Sequence, residues 1–373
     1  MKESEQKMNI LFVATVYRHL VNFHIPYMQY FQKQGYTVYA IGNGDEDKQI
    51  LSELGIHCID ISFSRNPFSI QNIRACRQLK ALFRQKEFKL IHVNSPISAL
   101  LTRFVYRKYK NPIVYTAHGF HFFKGAPKQN WLIYYPLEKI AARWTDHLFV
   151  MNDEDYQNAK KFMPIGKLSF VHGVGVAFKK QSADVVALRE SLHIAEDAVV
   201  ITYIAELNSN KNHLYLLRNW AAIKAQCPDV VLLIMGSGEL DNELRDYVKV
   251  HQLKDVQFLG HRRDVEQLLQ LTHINTLLSY REGLPKSTME SMCMGIPNIV
   301  TDTRGLRDLI KDEKNGYVIA QDADALLVKR FICLIQSASL RAEMGSYSKR
   351  MVKPYLLENV LPEYSKVYKK LLK

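Results

Sequence analysis

Ile274-Asn275-Thr276-Leu277-Leu278-Ser279-Tyr280-Arg281-Glu282-Gly283-Leu284-Pro285-Lys286-Ser287-Thr288-Met289-Glu290 is the stretch on which the reading of this chain turns. Its first seven residues form an apolar, strand-like run. A helical pattern then passes through Met292 and stops at Gly295 and Pro297. The junction predicts a strand-to-helix loop that carries Glu282, with Gly283 permitting a tight backbone turn. Pro285 fits the first helical turn, where a missing N–H costs nothing. Glu290, separated from Glu282 by seven residues, falls on the helix itself. Free amides near Leu284 to Ser287 make that helix start an anion site. An acidic hydroxyl-binder beside such a site suits a sugar nucleotide. The competing reading is a capping carboxylate followed by an exposed helical glutamate.

Working outward, short β-rich runs alternate with amphipathic helical stretches, the signature of an α/β chain with parallel sheets. Strands are expected at 10–15, 38–42, 90–94, 113–117 and 147–151, then at 199–205, 230–235, 256–259, 274–279, 298–301 and 317–319. Helices are expected at 25–34, 47–54, 70–84, 99–109, 131–143, 154–162 and 355–373, while Tyr17 to His24 reads as a loop. The two series meet at Val171–Val176, the expected linker. A chain of 373 residues with 47% hydrophobic content can bury two cores. Five dispersed cysteines without metal or disulfide spacing fit a reducing cytoplasm. The polar start and the lack of a spanning apolar run predict neither signal peptide nor transmembrane helix.

Charge is unevenly placed. Ile61–Arg143 holds fifteen Lys and Arg against two acids, Glu87 and Glu138, and so carries the whole formal net charge of +13. No helix-turn-helix, zinc-finger or RNA-binding signature accompanies it, so nucleic acid is not expected as a partner. Aromatics interleave the basic residues from Phe120 to Trp144, which suits an anionic membrane surface, with a core helix as the competing reading.

The E-x(7)-E run resembles that of retaining glycosyltransferases of family four, in the bacterial surface-polysaccharide and lipid-linked oligosaccharide group. The resemblance extends over most of the chain. It implies the GT-B fold, two Rossmann-like doubly wound domains facing across a cleft. The acceptor-side domain would be 1–172 completed by a crossover helix at 355–373, and the donor domain 173–354. It also implies that Glu282 contacts the donor sugar and Glu290 the ribose hydroxyls, with Gly283, Leu284, Pro285 and Lys286 around the donor.

Lys211 matches the lysine that holds the donor diphosphate. Its usual partner arginine is replaced by Glu206, which leaves Lys286 and the helix-start amides as the substitute positive charge. Arg262, in Gly260-His261-Arg262-Arg263-Asp264, matches a turn that frames the nucleobase, and Asp264 can also cap the next helix. Gly236, in Gly236-Ser237-Gly238, lies at a strand end where α/β sheets bind ligands. His118 matches a histidine that faces the donor sugar, with His121 read as packing locally. The run 17–24 lacks the paired glycines common in the family, so Arg18 or His19 is expected to contact acceptor or phosphate there.

The expected reaction is metal-independent, retaining transfer from a nucleoside-diphosphate sugar, a UDP-sugar in the first instance, to a lipid-linked saccharide. It needs no cofactor, and the protein is expected in the cytoplasm, peripheral on the inner face of the cell membrane. The alternatives are a sugar-nucleotide epimerase of the same fold and a non-catalytic sugar-nucleotide-binding scaffold. A nicotinamide oxidoreductase is excluded because no G-x-G-x-x-G run occurs at Ala14–Leu20.

Overall fold

The computed structural model describes residues 8–178 and 183–373. The chain divides into two compact units. One holds the chain up to Gly175 together with Glu358–Lys373, and the other holds Val176–Leu357. Each is an α/β unit around one parallel sheet.

The sheet of the first unit has seven strands: β1 (Asn9–Val13), β2 (Thr37–Gly42), β3 (His57–Asp60), β4 (Leu90–Val93), β5 (Ile113–Ala117), β6 (His147–Val150) and β7 (Leu168–Phe170), in the order β3-β2-β1-β4-β5-β6-β7. Every pairing is parallel. Parallel sheets are covered on both faces, which demands nearly continuous apolar strands. The fully buried β4, β5 and β6 meet that demand.

The second unit has six strands: β8 (Val199–Ile204), β9 (Val230–Met235), β10 (Val256–Gly260), β11 (Ile274–Leu277), β12 (Asn298–Thr301) and β13 (Gly316–Ile319), in the order β10-β9-β8-β11-β12-β13. These pairings are parallel too. Strand order therefore reverses between β1 and β4 in one sheet and between β8 and β11 in the other. Ligands of open parallel sheets bind beyond the carboxyl ends of the strands at such reversals.

The expected strands and helices form, with ends shifted by a few residues. In the first unit one helix and two strands differ. Tyr17–Phe23 is a helix, not a loop. It has neither a side-chain cap nor first-turn acids, so the usual signals of a helix start are missing. Burial of Tyr17 and Leu20 holds it instead. Strands β3 and β7 were not expected. They are short edge strands, partly exposed, and show no apolar run.

The aromatic segment contributes in part to the core. Phe120 and Phe122 are buried and stacked at 4.7 Å, and Trp131, Tyr135 and Phe162 pack against their core cluster. Phe120 and Phe122 are therefore core, and the other three rings are half-buried at its edge. Among the described residues, no helix is long and apolar enough to cross a membrane.

The last helix, Leu357–Leu371, completes the first unit. Tyr364 packs on Phe149 and Tyr27 with ring centroids 4.1 and 4.7 Å away, and donates to the Gly173 carbonyl at 3.3 Å. The Tyr368 hydroxyl meets His92 Nδ1 at 2.9 Å. Replacing Tyr364 with Ala should destabilise this unit by about 3–5 kcal/mol, as other aromatic-to-alanine core changes do. Tyr368→Phe should cost about 1 kcal/mol. Urea unfolding of both variants checks this, and an unchanged midpoint for Tyr364→Ala would detach the helix from the core.

Candidate active site

Strands β8 and β11 lie side by side where the order of the second sheet reverses. The segment after β8 turns through the 3₁₀ helix Ser209–Lys211, where Asn208 accepts from the Lys211 N–H at 3.1 Å. The segment after β11 leads to the helix Lys286–Met294. Two hydrogen bonds tie these segments together. The Tyr280 N–H donates to the Asn210 carbonyl at 2.9 Å, and Asn210 Nδ2 donates to the Arg281 carbonyl at 3.0 Å. The Tyr203 hydroxyl braces both, donating to the Lys211 carbonyl and accepting from the Leu278 N–H.

This frame sets Lys211 Nζ 2.5 Å from Glu282 Oε1. The Glu282 side chain is 8% exposed and the Lys211 side chain 21%. The result is a nearly buried carboxylate, in the loop that leads into a helix start, beside an ammonium group. That helix begins at Lys286 without a side-chain cap or first-turn acid for its first N–H groups, which have no intrahelical partners. Pro285 immediately precedes the helix and does not occupy its first turn. One turn on, Lys286 Nζ lies 3.1 Å from Glu290 Oε1. Burial pushes the Glu290 carboxyl above its ordinary range, with Lys286 opposing the shift.

Two glycines make the packing around these loops feasible. Gly305 has φ +76°, and a Cβ there would lie 2.0 Å from the Gly283 carbonyl oxygen. Gly236 has φ +153°, and its Cβ would lie 1.8 Å from the Ala205 carbonyl oxygen. Gly236 thus lets the end of β9 pack against the segment after β8.

Arg262 is committed to Asp264, donating from Nε and Nη2 to the two carboxylate oxygens at 2.8 and 2.6 Å. The Asp264 side chain makes no cap hydrogen bond to the helix Val265–Leu268, which corrects the expected cap. Glu206 is exposed, and Lys211 pairs with Glu282 instead. His213, missed in the sequence, is buried against Tyr203 at 4.1 Å with both ring nitrogens unpaired. Burial, with nearby Lys211, holds it down at about 3. Only its position two residues after Lys211 could have flagged it.

The remaining expected residues lie in the first unit. His118 Nε2 is 3.1 Å from His24 Nε2. The His118 ring meets His19 edge-on at 4.3 Å. Arg18 faces Asp47 at 3.5 Å, and His121 stacks on Tyr134 at 4.5 Å.

Two parallel α/β units with this strand order define the GT-B class of fold. The family model described as Glycosyl transferases group 1 matches residues 184–351, and Glycosyl transferase 4-like matches residues 9–152. EpsD of Bacillus subtilis (strain 168), described as a glycosyltransferase, is 33% identical over 368 residues, which is 96% of each chain. An Escherichia coli UDP-Gal:alpha-D-GlcNAc-diphosphoundecaprenol alpha-1,3-galactosyltransferase is 29% identical over 70% of each chain. The structure of HepE from Anabaena, in complex with UDP and glucose, superposes with a TM-score of 0.80 at 17% identity, over 97% of this chain and all of that one. The chain belongs to the GT-B glycosyltransferases of family-four type.

Gly305→Ala should destabilise the second unit by about 1–3 kcal/mol, the range for strained backbone. A melting temperature equal to the parent's would show that the loop carrying Gly283 can move aside.

Proposed function

We propose that this chain is a retaining glycosyltransferase that moves a sugar from a nucleoside-diphosphate donor, first of all a UDP-sugar, to a hydroxyl of a lipid-linked saccharide. No divalent metal is needed at the donor diphosphate. The observation that carries the reading is the Lys211–Glu282 pair, set at the β8/β11 reversal beside an uncapped helix start. In this reading Glu282 accepts from donor-sugar hydroxyls and Glu290 from the ribose. Lys211, Lys286 and the amides after Pro285 hold the diphosphate, while Gly236 and the Arg262 turn border the nucleotide. Negative charge grows on the diphosphate as its bond to the sugar breaks, so fixed positive groups there favour the transition state over the ground state. The departing phosphate takes the acceptor proton on the same face, which preserves the anomeric configuration. HepE, bound to UDP and glucose, and the E. coli relative, named for UDP-Gal and a diphosphoundecaprenol acceptor, support the donor and acceptor classes.

The test is release of nucleoside diphosphate from a panel of UDP-, GDP- and ADP-sugars with an undecaprenyl-diphosphate saccharide as acceptor. NMR then reads the product linkage. Acceptor-dependent UDP release with the donor's configuration kept is expected. An inverted product would refute retention, and tight binding without release from any donor would make the chain a scaffold.

The two glutamates should separate. Glu282→Ala should abolish transfer and spare nucleotide binding. Glu290→Ala should weaken nucleotide binding roughly 10- to 150-fold, the worth of a hydrogen bond to a charged group. Equal effects on nucleotide affinity would contradict the assignment. Protonation removes an acceptor, so nucleotide affinity should fall as pH drops through a value above the ordinary 4.5 for glutamate, because burial raises the Glu290 carboxyl. Calorimetry across acidic pH checks this, and Glu290→Gln should flatten the profile.

A lipid-linked acceptor brings the enzyme to a membrane. Phe68, Ile70 and Ile73 are 78, 82 and 55% exposed. Exposed Arg65, Arg74, Arg77 and Lys80 accompany them. On the helix Lys128–Ala141, exposed Leu132 and Ile140 accompany Lys128 and Lys139. These residues support reversible docking on anionic lipid, each basic side chain contributing about 1 kcal/mol near the surface. In flotation assays the protein should bind anionic vesicles at low salt and release at high salt. Neutralising Lys128 and Lys139 with Lys124 and Arg143 should weaken binding. A protein that ignores anionic vesicles at low salt would favour a water-soluble acceptor.

A further inference from the structure

The first sheet has its own order reversal, between β1 and β4, and histidines collect there. His19 lies on the helix Tyr17–Phe23 that follows β1, and His24 is the residue that ends that helix. His118 directly follows β5, the neighbour of β4. One ring nitrogen from each of the three lies within 4.8 Å of the other two. His24 is fully buried, and the other two are partly exposed.

Hydrogen bonding within the first unit does not satisfy this cluster. His24 Nε2 and His118 Nε2 face each other at 3.1 Å. His24 Nδ1 and His19 Nε2 are buried with no partner. Whichever tautomer His24 adopts, a buried ring atom stays unsatisfied, at a cost of about 1–3 kcal/mol. His92, the fourth histidine of the group, differs. Its Nε2 meets Thr116 at 2.7 Å and its Nδ1 meets the Tyr368 hydroxyl at 2.9 Å, so it is occupied as a structural residue.

We propose that His19, His24 and His118 bind a divalent transition-metal ion of the zinc class, with a fourth position open to water or to an oxygen of a bound anion. At a metal–nitrogen distance of about 2.0–2.1 Å, tetrahedral geometry sets ligand nitrogens about 3.4 Å apart. The His24–His118 spacing is close to that, and His19 brings a third nitrogen within 4.8 Å of both. Three imidazoles without a carboxylate suit zinc, cobalt, nickel or copper, and not magnesium, calcium or manganese. The site lies wholly within the first unit, and it would make His118 a metal ligand in place of the donor-sugar contact that the family resemblance implies.

The test uses the untagged full-length chain, stripped with chelator and dialysed against zinc or cobalt. Metal content is read by elemental mass spectrometry, and cobalt geometry by its visible spectrum. One equivalent per chain and a tetrahedral cobalt spectrum are expected. His19→Ala and His118→Ala should lose both, while His57→Ala, at an exposed histidine, should keep them. Added zinc should raise the thermal midpoint of the parent and leave that of His19→Gln unmoved, a comparison that stands even if an alanine variant folds poorly. Substoichiometric metal in the parent, or full occupancy in His19→Ala and His118→Ala, would overturn the proposal.

Discussion

Parallel strands cannot be joined by tight hairpins, and their crossovers share one hand. A sheet that grows outward in both directions must therefore reverse its order somewhere. At that point two adjacent strands send their following loops to opposite faces, and a crevice opens between them. In the second unit the reversal falls between β8 and β11, and it brings residues 211 and 282 within 2.5 Å although 71 positions separate them. The frame from Asn208 to Tyr280 and the bracing by Tyr203 only fine-tune a meeting that the strand order has already arranged. The first unit repeats the constraint at β1 and β4, where the histidines gather.

Much of this was legible in the sequence because apolar strands buried on both faces leave strong, continuous runs. The stretch 274–290 gave its strand, loop and helix, with Glu290 on the helix as expected. What escaped was held by tertiary contacts. The helix Tyr17–Phe23 has no capping signal and exists because Tyr17 and Leu20 are buried. The edge strands His57–Asp60 and Leu168–Phe170 carry too little apolar character to be seen. The aromatic segment 120–144 looked amphipathic in one dimension, yet Phe120 and Phe122 are buried in the core and Trp131, Tyr134 and Tyr135 pack half-buried against it. The pairing of Lys211 with Glu282 and the meeting of His19, His24 and His118 depend on strand order, which no local pattern encodes.

The electrostatics of the loops after β8 and β11 follow from a single substitution of charge. Glu206 occupies the position where an arginine was expected, and it faces outward. Positive charge near Glu282 is left to Lys211, with Lys286 one helical turn before Glu290. In the proposed mechanism Lys211 answers to two partners, the carboxylate that orients it and the diphosphate it stabilises. A buried pair costs desolvation on both sides, and breaking it from one side leaves a charge unpaired. The effects of Lys211 and Glu282 are therefore expected to be coupled.

The direct test is a double-mutant cycle on nucleotide-sugar affinity, comparing Lys211→Met, Glu282→Gln and the double variant by calorimetry. Non-additivity on the order of 0.5–3 kcal/mol is expected, as for groups in one charged network. Effects that add to within about 0.3–0.5 kcal/mol would mean that the two residues act independently, and would contradict the pair as the core of the site.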